Sequence, residues 1–357
     1  MHPTVIIIGA GLTGLRIAHL LEQRGISYRI IEARERLGGR IHTLISENDT
    51  KLEMGATWFG HQHTQLKALF EELEIGYYEQ FMTGSAYFEA FSTAPPQRMD
   101  VPSDPPSFRI KGGSSQLIEK LAKGIPSSHI LLAEKVLRLE FQEEEVIVQT
   151  DQKELRSKYI ISTLPPALMA HSIEFEPALP TKLAQIAQET HTWMQDSIKV
   201  ALVYEESFWT KEQLSGTLFS QVGPFTELYD HSDHLREKAA LCGFVNAGYA
   251  QLEKEDRQKR ILNQLGRIFG EKAALPLAYE ETIWAHEPFT KDPAQTGHQV
   301  FPHQHNGHDV FQHTYYNGRL YLSGTETSAV SSGYMDGAIF AAKHAVAKLE
   351  EVLLENS

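Results

Sequence analysis

The chain has 357 residues, of which 41% are hydrophobic and 22% charged, a composition typical of a folded protein of two domains. Its formal net charge of -13 argues against nucleic acid or an anionic membrane as a partner, because both bind basic surfaces, and mildly favours a cationic substrate. The single cysteine, Cys242, excludes internal disulfides and a thiolate metal cage and favours a cytoplasmic location. No apolar run approaches the ~20 residues that a membrane helix requires, so we expect no membrane partner.

The chain begins with a strand–helix–strand pattern. Thr4–Gly9 is a short, continuous apolar run, typical of a strand that is buried on both faces. Leu12–Arg24 has helical periodicity and is followed by Gly25, a residue favoured after the end of a helix. Ser27–Ala33 is a second apolar strand. Because strands joined in this way lie parallel, the pattern predicts an α/β fold with a parallel sheet.

The later elements are less regular. The stretch Ser92–Ser107 holds five prolines and predicts an extended connection rather than a regular element. Helices are predicted at Gln116–Lys123, Pro180–Glu189 and Glu253–Phe269. Buried strands are predicted at Tyr159–Thr163, Ser197–Tyr204, Leu241–Asn246 and Arg319–Ser323.

The first strand and helix are joined by a glycine-rich turn. Gly9, Gly11 and Gly14 have the G-x-G-x-x-G spacing, with Leu12 and Thr13 at the start of the helix. The first glycine permits the tight turn, the second leaves room for a pyrophosphate, and the third lets helix and strand approach closely. Glu32 ends the second strand, where an acid binds the adenosine ribose. Together these features predict that the chain binds a dinucleotide.

The residues after Glu32 favour FAD over NAD. An acid followed by Gly38, Gly39 and Arg40 allows the backbone to approach the cofactor and supplies a cation for its phosphates. Without the two glycines, Arg40 would be interpreted as part of a surface salt bridge. With them, the sequence resembles the flavin-containing amine oxidase family, which includes the monoamine and polyamine oxidases.

The resemblance covers most of the chain. Its segments are Glu53–Trp58 beside the flavin, Phe108–Gly113 with Val136, Ile161–Pro166, the strand around Lys199, and Tyr321–Ala338. The last segment places Glu326 near ribityl or ribose hydroxyls and points the N-terminus of the final helix at the flavin, where it stabilises negative charge.

The resemblance implies a set of site residues. The implied FAD-binding residues are Gly9, Gly11, Leu12, Thr13, Gly14, Glu32, Ala33, Arg34, Gly39, Arg40, Gly55, Ala56, Thr57, Trp58, Val136, Gly324, Thr325, Glu326, Gly333, Tyr334 and Met335. The implied catalytic residues are Lys199, which faces the flavin, Tyr334, which forms one aromatic wall of the substrate site, and Trp284, which packs against the flavin.

Two positions depart from the family pattern. Pro293 stands nine residues after Trp284, where the monoamine oxidases carry the cysteine that links the flavin, so we expect FAD to be held non-covalently. Ala294 stands where those oxidases have their second aromatic wall, so half of the aromatic cage is present, and Trp284, Tyr315 or Phe289 are the candidates to supply the other half. The chain is also shorter than many members of the family, and substrate identity is therefore not carried over.

The chain has 17 histidines, four of which lie close together as His303, His305, His308 and His313. A His-x-His pair on a strand can bind a metal, but apart from Asp309 no carboxylate or cysteine stands at a recognised ligand spacing. We therefore predict no metal site. His61 and His63 either line the substrate entrance or belong to a polar loop.

These patterns predict a doubly wound, Rossmann-like FAD-binding domain built from residues 1–76, 108–164 and 302–357, with an α+β substrate domain from residues 77–107 and 165–301. The expected reaction moves a hydride from the carbon next to an amine nitrogen to flavin N5, with reoxidation by O2 to give peroxide. Three alternatives stay open: a flavin dehydrogenase or desaturase with another electron acceptor, a renalase-like oxidase of reduced nicotinamides, and a non-enzymatic FAD-binding module.

Overall fold

A computed structural model describes residues 2–100, 105–291 and 302–355. The strands in these residues are β1 (Val5–Ile8), β2 (Tyr28–Ile31), β3 (Thr43–Ile45), β4 (Lys51–Glu53), β5 (Phe59–Gly60), β6 (Tyr77–Glu79), β7 (Ser85–Glu89), β8 (Gln97–Asp100), β9 (Ser107–Ile110), β10 (Ile130–Leu131), β11 (Val136–Phe141), β12 (Val146–Thr150), β13 (Glu154–Ser157), β14 (Tyr159–Ser162), β15 (Glu174–Glu176), β16 (Ile198–Tyr204), β17 (Leu214–Ser220), β18 (Phe225–Asp230), β19 (Ala239–Val245), β20 (Ala278–Ile283) and β21 (Leu320–Leu322). The α-helices are α1 (Leu12–Gln23), α2 (Thr64–Glu72), α3 (Ser115–Lys123), α4 (Pro166–Ser172), α5 (Thr181–Glu189), α6 (Phe208–Lys211), α7 (Lys254–Phe269) and α8 (Met335–Glu355).

The predicted parallel sheet is confirmed. Its five strands have the order β10-β2-β1-β14-β21, and the pairs β1–β2, β1–β14, β2–β10 and β14–β21 are all parallel. All four residues of β1 are buried, as are those of β14, which explains why both strands are continuous apolar runs. The fold is thus α/β, with the strand order of a doubly wound parallel sheet and further sheets beside it.

The two faces of the parallel sheet belong to different cores. On one face, Val5 and Ile7 pack in a cluster with residues of α1, α3 and α8. On the other, Ile6 and Ile8 pack against β11 and β12 of a four-stranded sheet with the order β13-β12-β11-β15. This alternation follows from the two-residue period of a strand and places the carboxyl end of β1 between both layers.

The largest sheet has seven strands in the order β20-β16-β19-β18-β17-β7-β8. Every residue of β16 is buried, which confirms the prediction of a strand covered on both sides. Ile198, Val200 and Leu202 pack in one cluster with residues of α7, whereas Ala201 and Val203 lie in another with Leu52 and Met54. Lys199 alternates with the first set and therefore shares the face of the second.

The prediction for the proline-rich stretch is wrong in part. Gln97–Asp100 forms the strand β8 and pairs antiparallel with β7, from Ser85↔Asp100 to Phe88↔Gln97. The four residues of β8 include no proline, and β8 lies at the edge of the sheet, where a strand needs hydrogen bonds on one side only. The prolines therefore flank the strand instead of preventing it.

The domain division stays a prediction, although the sheets show which parts of the chain lie together. The parallel sheet uses strands between residues 5 and 162 and a last strand at 320–322, and the seven-stranded sheet uses residues 85–100 and 198–283. None of the helices in the described ranges combines the length and the apolarity needed to cross a bilayer.

Candidate active site

The glycine-rich turn has the geometry that its spacing predicts. Gly9 adopts φ +103°, a conformation that favours glycine. A Cβ on Gly14 would lie 2.0 Å from the Gly9 carbonyl oxygen, so α1 can approach β1 only with glycine at this position. A Cβ on Gly11 would meet only the Gly38 carbonyl, at 3.9 Å, and no side chain caps α1 at this residue. The N–H groups at this helix N-terminus are thus available to a phosphate.

Glu32 lies at the end of β2 and braces the same turn. Its Oε2 accepts a hydrogen bond from the Ala10 amide at 2.7 Å, and its Oε1 accepts one from the Arg34 amide at 2.9 Å. The carboxylate therefore has a structural role that the sequence did not indicate, in addition to the predicted role at the ribose. The hydrogen bonds from the two amides fix the orientation of the carboxylate. Its remaining lone pairs are then positioned to accept hydrogen bonds from a diol.

Two adjoining cavities, of about 120 and 350 Å³, open around this turn. The first is lined by thirteen of the predicted residues: Gly9, Gly11, Leu12, Thr13, Glu32, Arg34, Gly39, Arg40, Ala56, Thr325, Gly333, Tyr334 and Met335. The second shares Gly9, Glu32 and Arg34 and adds Ala33 and Val136. Residues from four distant parts of the chain thus line two cavities that share Gly9, Glu32 and Arg34.

The remaining predicted residues line neither cavity: Gly14, Gly55, Thr57, Trp58, Lys199, Trp284, Gly324 and Glu326. Gly14 packs against Gly9, and Gly324 lies against the Thr163 and Leu164 carbonyls. The structure places Trp284 outside both cavities: its ring is fully buried and its indole N–H donates to the Met54 carbonyl at 2.8 Å. Its contact with the flavin therefore stays a prediction. Pro293 and Ala294, on which the linkage and the second aromatic wall depend, lie outside the described residues.

Arg40 and Glu326 form an ion pair with each other. The guanidinium contacts both carboxylate oxygens, with 2.9 Å between Nη2 and Oε2, and Glu326 has no exposed side-chain surface. The sequence assigned Arg40 to the phosphates and Glu326 to the hydroxyls but did not predict their pairing. A planar guanidinium paired in this way loses rotational freedom and stays aimed into the cavity.

Trp193 is the cavity residue that sequence reasoning missed. Its backbone N–H donates to Glu326 at 3.3 Å, its carbonyl accepts from Arg40 at 3.0 Å, and its ring lines the first cavity. Other residues missed in this lining are Ile41, Thr163, Leu164, Pro165, Met194, Thr290 and Ala338, whereas Phe289 was a candidate for the second aromatic wall. No local pattern marks Trp193, and the only signal was a tryptophan within the polar stretch that follows α5.

Four aromatic rings lie close together at the first cavity. Tyr334 is 43% exposed, and its ring centroid lies 5.2 Å from that of His63 and 6.3 Å from those of Trp193 and His303. His63 accepts a hydrogen bond from the Gly60 amide at Nδ1, so the neutral ring carries its proton on Nε2. Burial lowers the pKa of His63, opposed by the nearby Asp336 carboxylate.

Lys199 is fully buried at the start of β16. Its Nζ donates to the Gly55 carbonyl at 2.5 Å and to the Thr57 hydroxyl, and lies 4.8 Å from the centre of the Trp58 ring. Burial lowers the pKa of Lys199, the nearby Cys242 and Glu53 act to raise it, and Arg109 lowers it further. The structure thus brings Lys199 to the Gly55–Trp58 segment that the resemblance placed beside the flavin.

The histidine-rich stretch is divided among separate contacts. The His303 ring stacks on Trp193 with 4.5 Å between centroids, and His305 pairs with Glu189. His308 accepts from the Val310 amide, and His313 pairs with Asp309. Within residues 2–100, 105–291 and 302–355, no group of three or more His, Cys, Asp or Glu side chains could hold a metal ion.

The family model of flavin containing amine oxidoreductases matches residues 12–105 and 80–349. The chain belongs to this family. FAD is accordingly the cofactor that the glycine-lined cavities hold, and the open space at Gly11 and the uncapped start of α1 fit its pyrophosphate.

Relatives of the amine oxidoreductase match nearly its whole length. A probable flavin-containing monoamine oxidase A from Dictyostelium discoideum is 25% identical, covering 99% of this chain and 98% of the relative. The flavin-containing amine oxidase B of Sus scrofa is 23% identical over 97% of this chain and 85% of its own. The first alignment runs over 459 positions whereas this chain has 357 residues, so the relative has segments that this chain lacks.

Solved structures show the same fold. Wild-type putrescine oxidase bound to putrescine superposes with a TM-score of 0.84 at 22% identity, covering 98% of this chain and 99% of the other. The cyclohexylamine oxidase from Brevibacterium oxydans IH-35A has a TM-score of 0.84 at 23% identity, covering 99% of this chain and 100% of the other.

Substitutions at two glycines of the turn should separate folding from cofactor binding. Gly11→Ala should fold with a melting temperature near that of the wild-type apoprotein but bind FAD at least ~10-fold more weakly, because the methyl group enters the cavity without meeting the protein. Gly14→Ala should lower the free energy of unfolding by roughly 2 kcal/mol or more, because its methyl group collides with the Gly9 carbonyl. Circular dichroism melts and fluorescence titration with FAD measure both effects. Unchanged FAD affinity in Gly11→Ala would remove the pyrophosphate from this turn.

Proposed function

We propose that the protein oxidises a primary or secondary amine to an imine, with FAD held non-covalently and with O2 as the electron acceptor. When bound, FAD supplies the acceptor for a hydride from the carbon next to the amine nitrogen. The observation that carries the proposal is the position of Lys199, a fully buried lysine that touches the backbone of the Gly55–Trp58 segment. Burial lowers the pKa of Lys199, and buried ionisable groups with a shifted pKa are typical of functional sites.

The chain's own residues bind and orient the cofactor. The start of α1 at Gly11 offers N–H groups to the pyrophosphate, and Glu32 offers a carboxylate, held by two amides, to the ribose. Arg40 lines the first cavity and offers the pyrophosphate a cation that Glu326 holds in place. The first turn of α8 starts at Met335 and favours negative charge at its N-terminus.

The aromatic rings at the first cavity suit an amine. Tyr334 and Trp193 line the first cavity, and aromatic rings attract an ammonium ion by their negative quadrupole. An ammonium nitrogen has no lone pair to support the loss of a hydride, so the substrate must lose a proton before it reacts. Neutral His63 carries its ring proton on Nε2, and its Nδ1 already accepts the Gly60 amide, so this ring has no free lone pair to accept the proton.

Similarity supports the choice of an amine as the substrate class. Putrescine oxidase and cyclohexylamine oxidase have nearly the same fold, and their names state amine substrates. The net charge of -13 favours the approach of a cation. A cytoplasmic location is proposed on the single cysteine alone.

Purified protein should be yellow and should release all of its flavin, as FAD, when it is denatured with acid. Cys242 is the only cysteine of the chain, has no exposed surface and lies 3.5 Å from the Glu53 carbonyl, so it cannot form a thioether to a flavin in the cavity. Chromatography of the supernatant identifies the released flavin. Flavin that stays with the precipitated chain would contradict non-covalent binding.

Anaerobic mixing with an amine should bleach the bound flavin. The panel should contain putrescine, cyclohexylamine, benzylamine, NADH and NADPH, with absorbance followed near 450 nm. We expect bleaching by at least one amine and restoration of colour with peroxide on admission of O2. Bleaching by the nicotinamides alone would establish the oxidase of reduced nicotinamides, and reduction without peroxide would establish a dehydrogenase. A flavin that no compound reduces would indicate a binding module.

Lys199→Met should retain FAD and slow flavin reduction or its reoxidation by O2 at least ~10-fold, equivalent to about 1.4 kcal/mol of barrier. Methionine keeps the length of the side chain and removes the charge and both donated hydrogen bonds. Stopped-flow spectroscopy separates the two half-reactions. Lys272→Met is the matched control, because Lys272 is largely exposed and pairs with Glu206 on the surface. Wild-type rates in both half-reactions would exclude Lys199 from the chemistry.

A further inference from the structure

Lys199 lies in a pocket made of two oxygen acceptors and two aromatic faces. Besides its bonds to Gly55 and Thr57, its Nζ lies 4.8 Å from the centre of the Trp58 ring and 5.4 Å from that of Phe244. The Thr57 hydroxyl donates its own proton to the Gly55 carbonyl at 3.0 Å. Both oxygens therefore present lone pairs to Lys199, and neither can donate to it.

This arrangement distinguishes the two protonation states of the lysine. An ammonium has three N–H donors: two meet the oxygens, and the third faces the negative surface of a ring, which attracts it. A neutral amine would satisfy the same oxygens but would turn its lone pair toward the rings, which repel it. The rings thus favour the protonated lysine, whereas burial favours the neutral form and lowers the pKa of Lys199.

The Trp58 ring is fixed in this position by its polar edge. Its indole N–H donates to Gln80 Oε1 at 2.8 Å, and the Gln80 amide in turn donates to the Asp230 carbonyl at 2.8 Å. On another side the Tyr229 ring packs against Trp58, with 5.2 Å between centroids. A ring held at both its edge and its side keeps one face toward the lysine.

We propose that Trp58 is a positioning residue that keeps Lys199 protonated at neutral pH, with Gln80 fixing its ring and Phe244 providing a weaker second face. The effect of that charge on the bound cofactor rests on the proposed function. The protonation state of Lys199 does not rest on the proposed function, and it can be measured without substrate or oxygen.

Four other titratable groups face this site, and all four are unchanged in every variant tested below. Glu53 and Cys242 favour the charged lysine, and Arg109 opposes it. His231 is fully buried, accepts the Glu53 amide at Nε2, and has its pKa held well below the usual value by burial. It therefore stays neutral over the pH range in which Lys199 is followed.

The test is to follow Lys199 directly in the FAD-loaded protein. Lysine labelled with 13C at Cε gives a shift that reports Nζ protonation, and the resonance lost in Lys199→Met identifies Lys199. We expect a protonated Lys199 at pH 7, and a titration midpoint about one pH unit lower in Trp58→Leu than in the wild type. Trp58→Phe keeps a ring face and should recover most of the shift, and Gln80→Leu, which frees the indole, should give an intermediate midpoint.

Phe219→Leu is the matched control, because Phe219 packs edge-on against Tyr229 in the same sheet and does not face Lys199. Its midpoint should equal that of the wild type, and melting temperatures of all variants show whether folding is retained. A neutral Lys199 at pH 7 in the wild type overturns the proposal. A Lys199 midpoint in Trp58→Leu equal to that of the wild type also overturns it. The same holds if Lys199 stays protonated up to pH 10 in both the wild type and Trp58→Leu. Loss of amine oxidation with these midpoints as expected would contradict the proposed function alone.

Discussion

The segment from Glu53 to Trp58 lies between the FAD-binding part of the chain and the seven-stranded sheet, and the site depends on its position. Toward the cofactor, the amides of Met54 and Ala56 donate to the carbonyls of His42 and Arg40, at 2.8 and 3.1 Å. A Cβ on Gly55 would lie 2.0 Å from the Arg40 carbonyl, so the two backbones touch. Since no side chain separates them, any shift of one displaces the other.

The opposite side of this segment is held by side chains of the large sheet and of the residues after it. The Trp284 indole donates to the Met54 carbonyl, Cys242 donates to the Glu53 carbonyl, and Lys199 donates to the Gly55 carbonyl. Backbone groups that would otherwise be buried without partners are satisfied in this way. The same contacts bring Lys199 to the Gly55–Trp58 segment, so one set of hydrogen bonds both closes the junction and positions the lysine.

The buried charges around this junction are unevenly compensated. Arg40 has a carboxylate partner in Glu326, and Arg257 has one in Glu281 on β20. Lys199 has only a carbonyl, a hydroxyl and ring faces in direct contact. A paired charge contributes mainly to structure, whereas a buried charge with neutral partners can change its protonation state at modest cost. This difference separates Lys199 from Arg40 and Arg257.

The sequence alone determined the features that arise from neighbours along the chain. The turn at Gly9–Gly14, the buried strands, the acid at the end of β2 and the membership of the amine oxidase family follow from short patterns, because a strand, a tight turn and a helix start are set by a few residues. The strand at Gln97–Asp100 was missed because prolines beside it outweighed its edge position. Only the tertiary structure decided the pairing of Arg40 with Glu326, 286 positions apart, the place of Trp193, and the pocket of Lys199. Such contacts depend on how distant elements pack, and the residues involved carry no local pattern that records their partners.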